Sequence, residues 1–126
     1  MAETIAAGGL EFFVENRESR EDGGPSLQVR AVVNGEKVQL LRFDMFRVQP
    51  HYHYAPRGEN RQYDVDPLFV DDGIGWAIRT LQEKLPRMLE RAGYPELARS
   101  SDLPAIMAAL PQIEQQWRKQ PVSALP

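Results

Sequence analysis

The chain has 126 residues, 42% hydrophobic and 26% charged, with 15 Lys and Arg against 18 Asp and Glu and no cysteine. That length supports a single core without staples, and the missing thiols exclude a disulfide framework, thiolate zinc sites, iron–sulfur clusters and cysteine nucleophiles. No stretch approaches the run of about 18 apolar residues that a membrane span needs, and Met1–Leu10 has no Lys or Arg ahead of its short apolar patch. Neither a membrane association nor classical secretion is expected, and the expected location is cytoplasmic.

The net charge of -3 is unevenly spread: residues 1–25 hold six acids and two bases, residues 26–61 six bases and three acids, and residues 62–126 nine acids and seven bases. No run of Lys and Arg can neutralise many phosphates, so nucleic acid is not an expected partner.

In chain order, Leu10, Phe12 and Val14 alternate with Glu11, Phe13 and Glu15, the period of a strand. Arg17–Pro25, closing on Gly23-Gly24-Pro25, reads as a loop. Leu27, Val29, Ala31 and Val33 alternate next and run into Asn34-Gly35, a two-residue hairpin signal, since both residues tolerate positive φ. That turn places Ala31 opposite Val38 and Val29 opposite Leu40. Leu41, Phe43 and Met45 then continue in the other phase, which predicts a β-bulge near Leu40-Leu41.

His51-Tyr52-His53-Tyr54 and Arg61-Gln62-Tyr63-Asp64-Val65 flank the turn-forming Pro56-Arg57-Gly58-Glu59. A second hairpin there sets Tyr52 opposite Tyr63 and His51 opposite Asp64. From Asp71 the period becomes helical. Ile74, Ile78, Leu81, Leu85, Met88 or Leu89, and Ala92 form one stripe, capped by Asp71 or Asp72 and stopped by Gly93 and Pro95. A second stripe, Ile106, Met107, Leu110, Ile113 and Trp117, follows Ser101 or Asp102. Pro86 and Pro111 fall inside these helices, and each predicts a kink or a break into two short helices.

The expected fold is therefore α+β in one domain, residues 1–126. An antiparallel meander of four or five strands fills residues 9–66, and two kinked helices, 72–93 and 103–119, pack on one sheet face ahead of a 120–126 tail.

Both histidines lie in one strand, two apart, so they share a face, with Asp64 and Gln62 beside them in the hairpin register. His51, His53 and Asp64 make a candidate two-His-one-carboxylate site for one divalent metal, and hence for a metal-dependent enzyme. Against it stands the reading of the pair as ordinary sheet residues, with Asp64 hydrogen-bonding His51. A cupin site is excluded by the lack of a third histidine and by the helical second half, and no nucleophile elbow, phosphate loop or EF-hand spacing is present. No catalytic residue is assigned. Tyr52, Tyr54 and Tyr63 interleave with Arg47, Arg57 and Arg61, the residue types enriched at recognition surfaces. These six form the candidate binding surface, for a protein partner or self-association as a homodimer, with no cofactor required.

Phe12-Phe13-Val14-Glu15-Asn16-Arg17, Leu41-Arg42-Phe43-Asp44 and Pro50-His51-Tyr52-His53-Tyr54-Ala55-Pro56 together resemble a group of small uncharacterised bacterial single-domain proteins, over residues 10–93. The resemblance implies a bacterial single domain and carries no activity or site. The expected function is a non-enzymatic binding or accessory domain, with the metal-dependent enzyme as its alternative.

Overall fold

The computed structural model describes residues 2–18 and 21–121. Six antiparallel strands form one meander in chain order: β1 Glu3–Ala7, β2 Leu10–Glu18, β3 Gly23–Val33, β4 Glu36–Asp44, β5 His51–Tyr54 and β6 Arg61–Asp64. A 3-10 turn at Pro67–Phe69 leads into helices α1 Gly73–Arg91, α2 Pro95–Ser100 and α3 Leu103–Arg118. The α+β class and the antiparallel meander are as expected. The strand count is six rather than four or five, and three helices replace the expected two.

The additional strand, β1, pairs Ala7 with Leu10 across Gly8-Gly9, whose φ values of 60° and 92° make the tight turn that glycine supplies. The turn is locked onto α3. Asp102 donates its backbone N–H to the Gly8 carbonyl at 3.0 Å, and a Cβ on Gly8 would lie 2.5 Å from the Asp102 carbonyl oxygen and 2.6 Å from Ile106. The expected Arg17–Pro25 loop is shorter than read, because β2 continues to Glu18 and β3 begins at Gly23; Ser19 and Arg20, like residues 122–126 of the expected tail, lie outside the described residues.

Asn34-Gly35 is the β3–β4 turn, with φ of 51° and 80°. Ala31 faces Val38 as expected. Arg30 faces Gln39, but Val29 faces Leu41 and not the expected Leu40, which is the extra residue of a bulge one step nearer the turn. The bulge lets Leu40 and Leu41 both be fully buried, and it sets the phase of everything after it. The second hairpin has the expected register, Tyr52 opposite Tyr63 and His51 opposite Asp64.

Register assigns the two faces. Val14, Leu27, Phe43, Tyr52 and Tyr63 form one cross-strand row, and Phe12, Val29, Leu41, Tyr54 and Arg61 the next. This face packs with Ile74, Ile78, Leu81, Leu85 and Leu89 of α1 and Ile106, Leu110, Ile113 and Trp117 of α3 in one apolar core. At about 25 cal/mol per Å² of apolar area buried, that core is the main stabilising term. The other face carries Glu15, Ser26, Asp44, His51 and Asp64 in one row, and Phe13, Gln28, Arg42, His53 and Gln62 in the next.

Neither interior proline breaks its helix: α1 is continuous through Pro86 and α3 through Pro111. Pro111 is exposed and Pro86 partly so, where a carbonyl left without its helical donor is readily hydrated. Asp72 caps α1 through Gly75 N–H, and Asp102 caps α3 through Ala105 N–H. Asp72 also takes a bidentate bond from Arg118, tying the start of α1 to the end of α3. The short α2 was missed because Gly93 and Pro95 read only as a stop; Pro95 in fact opens the next helix at its first turn.

Candidate functional site

Two groupings compete for function: a buried polar cluster on the helix-free face, and an aromatic groove between α1 and the β5–β6 hairpin.

The cluster centres on Asp44, not Asp64. Asp44 faces His51 across β4 and β5, and Arg42 faces His53, so four side chains occupy the corners of one square. Asp64 stays opposite His51 in the backbone register but is exposed, with Gln62 at 3.4 Å from its carboxylate. Asp44 is 1% exposed and His53 4%. The Met45–Pro50 connection folds against this corner. Its backbone is held by Met45 N–H to the Pro25 carbonyl, Arg47 N–H to the Gly23 carbonyl, and Val48 and Gln49 N–H to the Asp22 carboxylate. Phe46 then packs edge-on against His51, with 5.4 Å between ring centroids.

Every ring nitrogen of the two histidines has a polar partner within the cluster. His53 Nε2 lies between Arg42 Nη2 at 3.1 Å and Asp44 Oδ2 at 3.4 Å, and its Nδ1 lies 2.7 Å from Asn60 Oδ1. His51 Nδ1 is 3.0 Å from the Gln49 carbonyl and Nε2 is 3.2 Å from Asp44 Oδ2; both partners are acceptors, so His51 is an imidazolium. Its bond to Asp44 raises its pKa above the usual histidine value, against the opposing effect of burial. Asp44 Oδ2 also accepts from Arg42 Nε at 2.9 Å, while Oδ1 accepts from the Ser26 hydroxyl at 2.7 Å. Burial alone would raise the Asp44 pKa, but the bonds from His51, His53 and Ser26 and the charge of Arg42 outweigh it and hold the carboxyl far below the carboxylate range.

Could the cluster bind a metal? Asp44, His51 and His53 each offer a ligand atom within 4.8 Å of the others, and both Nε2 atoms lie 3.2–3.4 Å from Asp44 Oδ2. Bonds of about 2.1 Å to one ion would set donors about 3.0–3.4 Å apart, so the spacing fits. Both Nε2 atoms are engaged within the cluster: Arg42 Nη2 lies 3.1 Å from that of His53, and that of His51 donates to Asp44, so an ion would have to displace Arg42 and the His51 proton. The cluster is a closed network that ties β3, β4, β5 and Asn60 of the hairpin turn together.

The groove lies on the other side of the sheet. Tyr52 stacks on Tyr63 at 5.6 Å and on Phe43 at 6.0 Å; Tyr54 meets both Tyr52 and Tyr63 edge-on at 5.7 Å, and Trp76 of α1 lies 6.0 Å from Tyr52. Their exposure rises outward: Tyr54 is buried, Tyr52 half-buried and Tyr63 36% exposed. A cavity of about 270 Å³ opens between these rings and α1, lined by Tyr52, Tyr54, Trp76, Arg79, Thr80, Glu83, Lys84 and Met88. A cleft over Tyr54, Lys84, Arg87, Met88, Glu90 and Arg91 continues from it. Arg61 and Arg91 stand over the Tyr54 ring at 5.3 and 5.5 Å, and Arg91 over Tyr63 at 5.6 Å, within the range of cation–π attraction. Arg61 also bonds the Arg91 carbonyl, joining hairpin to helix.

The candidate surface read from sequence thus divides. Tyr52, Tyr54, Arg61 and Tyr63 meet at the groove. Arg47 pairs with Glu18 at 3.4 Å beside the other face, and Arg57 lines a separate cleft of about 520 Å³ with Arg30, Lys37, Gln39 and Tyr94, apart from the tyrosines of the hairpin. Sequence reasoning missed Trp76, Lys84 and Arg91, which come from the helix, and Asp44 with Arg42. Asp44 comes beside His51 because β4 and β5 pair across Met45–Pro50, a connection without a turn signal in its sequence.

Among the described residues no helix is long and apolar enough to cross a membrane. No curated protein and no solved structure matches the chain. The family described as a domain of unknown function, DUF7700, matches residues 4–117, and the chain belongs to it.

Proposed function

We propose that this chain is a non-enzymatic binding domain whose recognition surface is the groove between α1 and the β5–β6 hairpin. One observation carries the reading: a graded aromatic floor of Tyr52, Tyr54, Tyr63 and Trp76 lies beneath cations, of which Arg79, Lys84 and Arg87 have no ion-pair partner among the described residues. Tyrosine and tryptophan supply large, rigid contact area at low entropic cost, and unpaired cations select the partner's charge. Support also comes from what the other face does with its chemistry. A hydrolytic or redox centre needs a free lone pair or an open coordination position, and the Asp44 cluster uses all of its own internally.

Trp76 is half-exposed in the groove and Trp117 is 1% exposed in the core, so ligand-dependent fluorescence reports on the groove. A panel of aromatic acids and short peptides should change the emission of the wild type, with the response abolished in Trp76→Phe and weakened at least tenfold in Tyr63→Ser. Binders that leave Trp76 unmoved and are indifferent to Tyr63 would overturn the assignment.

A further inference from the structure

The groove is bounded on its outer side by β6, an edge strand, and the hydrogen-bond phase of the hairpin shows what that edge offers. Ala55 N–H bonds the Leu40 carbonyl, which turns the main-chain groups of His51 and His53 toward β4 and those of Tyr52 and Tyr54 toward β6. The bond from Val65 N–H to the Pro50 carbonyl agrees with this phase. Arg61 and Tyr63 are therefore spent on β5, while Gln62 and Asp64 direct their N–H and C=O groups outward, where no strand follows among the described residues. Arg61 and Tyr63 place their side chains on the groove side, next to Arg91.

We propose that the groove's occupant is an extended acidic segment of a partner protein, which adds as a seventh strand to β6 and lays every second side chain over Tyr63 toward α1. The inference rests on the groove being the recognition surface and names what it recognises. Strand addition draws affinity from main-chain bonds and specificity from alternate side chains. Here those alternate side chains meet Arg61 of the hairpin, itself paired with Glu59 at 3.1 Å, and then Arg91, Lys84 and Arg87 along the helix, where Glu90 is the one acid of the cleft, a local cationic strip on a chain of net charge -3. Glutamate or aspartate at every second position complements that strip, with an aromatic or branched residue between them. Leu68 and Phe69, 76% and 79% exposed just beyond the edge, give the segment an apolar continuation.

The test uses blocked eight-residue peptides alternating Glu with Val or Tyr, against the same peptides with Lys for Glu, against versions N-methylated at alternate amides, and against oligo-dT. Gln62→Pro is the informative variant: its N–H points away from β5, so proline caps the edge without removing a ladder bond, which retained circular dichroism would verify. The acidic peptide should bind the wild type, with at least tenfold loss for the Lys peptide, for one N-methylated phase, for Gln62→Pro and for Lys84→Glu/Arg87→Glu. Equal binding to Gln62→Pro, or indifference to N-methylation, would overturn strand addition. Absence of acidic-peptide binding, tighter binding of oligo-dT, or self-association that Gln62→Pro abolishes would each overturn the acidic partner. If a groove ligand still moves Trp76 in any of those cases, the groove assignment survives and this inference alone fails.

Discussion

Replacing Asp44 by Asn should be the most damaging isosteric change in the molecule, because it removes the one anion that balances two buried or half-buried cations. In the native protein, Asp44 accepts from Arg42 at 2.9 Å, from His51 at 3.2 Å and from Ser26 at 2.7 Å, at 1% exposure. Removing one partner of a buried pair costs about 3–5 kcal/mol, since the remaining charge keeps its desolvation penalty and loses its compensation. An unfolding entropy of about 2.1 cal/mol/K per residue makes a loss of about 3 kcal/mol equivalent to a fall in Tm of about 11 °C for a chain of this length. The pH profile distinguishes this mechanism from mere misfit. His51 has a raised pKa in the folded state, so its contribution is complete below the unfolded histidine value of about 6.5 and is lost as pH rises through the folded value. The lowered Asp44 pKa contributes stability above the carboxylate range, lost only in strong acid. Urea unfolding followed by circular dichroism at pH 6 and pH 9 should therefore show the wild type losing stability between the two, and Asp44→Asn losing the pH dependence with the stability. A variant within about 1 kcal/mol of wild type, or one that keeps the alkaline decline, would refute the network as described.

The remaining predictions concern the scaffold and the same cluster. Gly8→Ala should cost about 3 kcal/mol, since a Cβ there meets Asp102 and Ile106 at positive φ, whereas Gly9→Ala, with open space around it, should cost about 1 kcal/mol; thermal melts compare the pair. Asp72→Ala should cost about 1–2 kcal/mol by loss of the α1 cap and the exposed Arg118 pair, and the difference from wild type should shrink in acid because Arg118 lowers the Asp72 pKa; denaturant midpoints at pH 3 and 7 check it. Untagged wild-type protein should gain no thermal stability from equimolar Zn²⁺ or Co²⁺, since an ion would have to displace Arg42 and the His51 proton from their partners; calorimetry showing a stoichiometric site lost in His53→Ala would refute that expectation.

The fold was legible wherever local signals were strong. Asn34-Gly35 marked the turn, the phase change at Leu40-Leu41 the bulge, and Asp71-Asp72, Ser101-Asp102 and Gly93 the helix ends to within a residue. Gly8-Gly9 was as clear a turn signal as Asn34-Gly35, but the strand before it, Glu3–Ala7, is mostly exposed and lacks the alternation that betrays a half-buried strand. The sites were legible only in part, because each is assembled from elements that are not neighbours in sequence. The second hairpin's own register brought Tyr52, Tyr54 and Tyr63 together. Nothing local shows that Trp76, Lys84 and Arg91 of α1 lie over them, which depends on where the sheet sets the helix. The carboxylate beside the histidines was misplaced by one strand for a similar reason: a hairpin pairs its own residues, and Asp64 was the acid inside it, while Asp44 reaches His51 through a connection with no turn signature.

The most direct measurement is a residue-resolved amide chemical-shift map of the wild type titrated with the alternating Glu–Val/Tyr peptide. Shifts confined to Arg61–Asp64, Leu68, Phe69, the Trp76 indole and Lys84–Arg91, with Arg42, Asp44 and His53 unmoved, are the predicted result. Shifts centred on Arg42, Asp44, His51 and His53, with the groove silent, would contradict the account and return function to the polar face of the sheet.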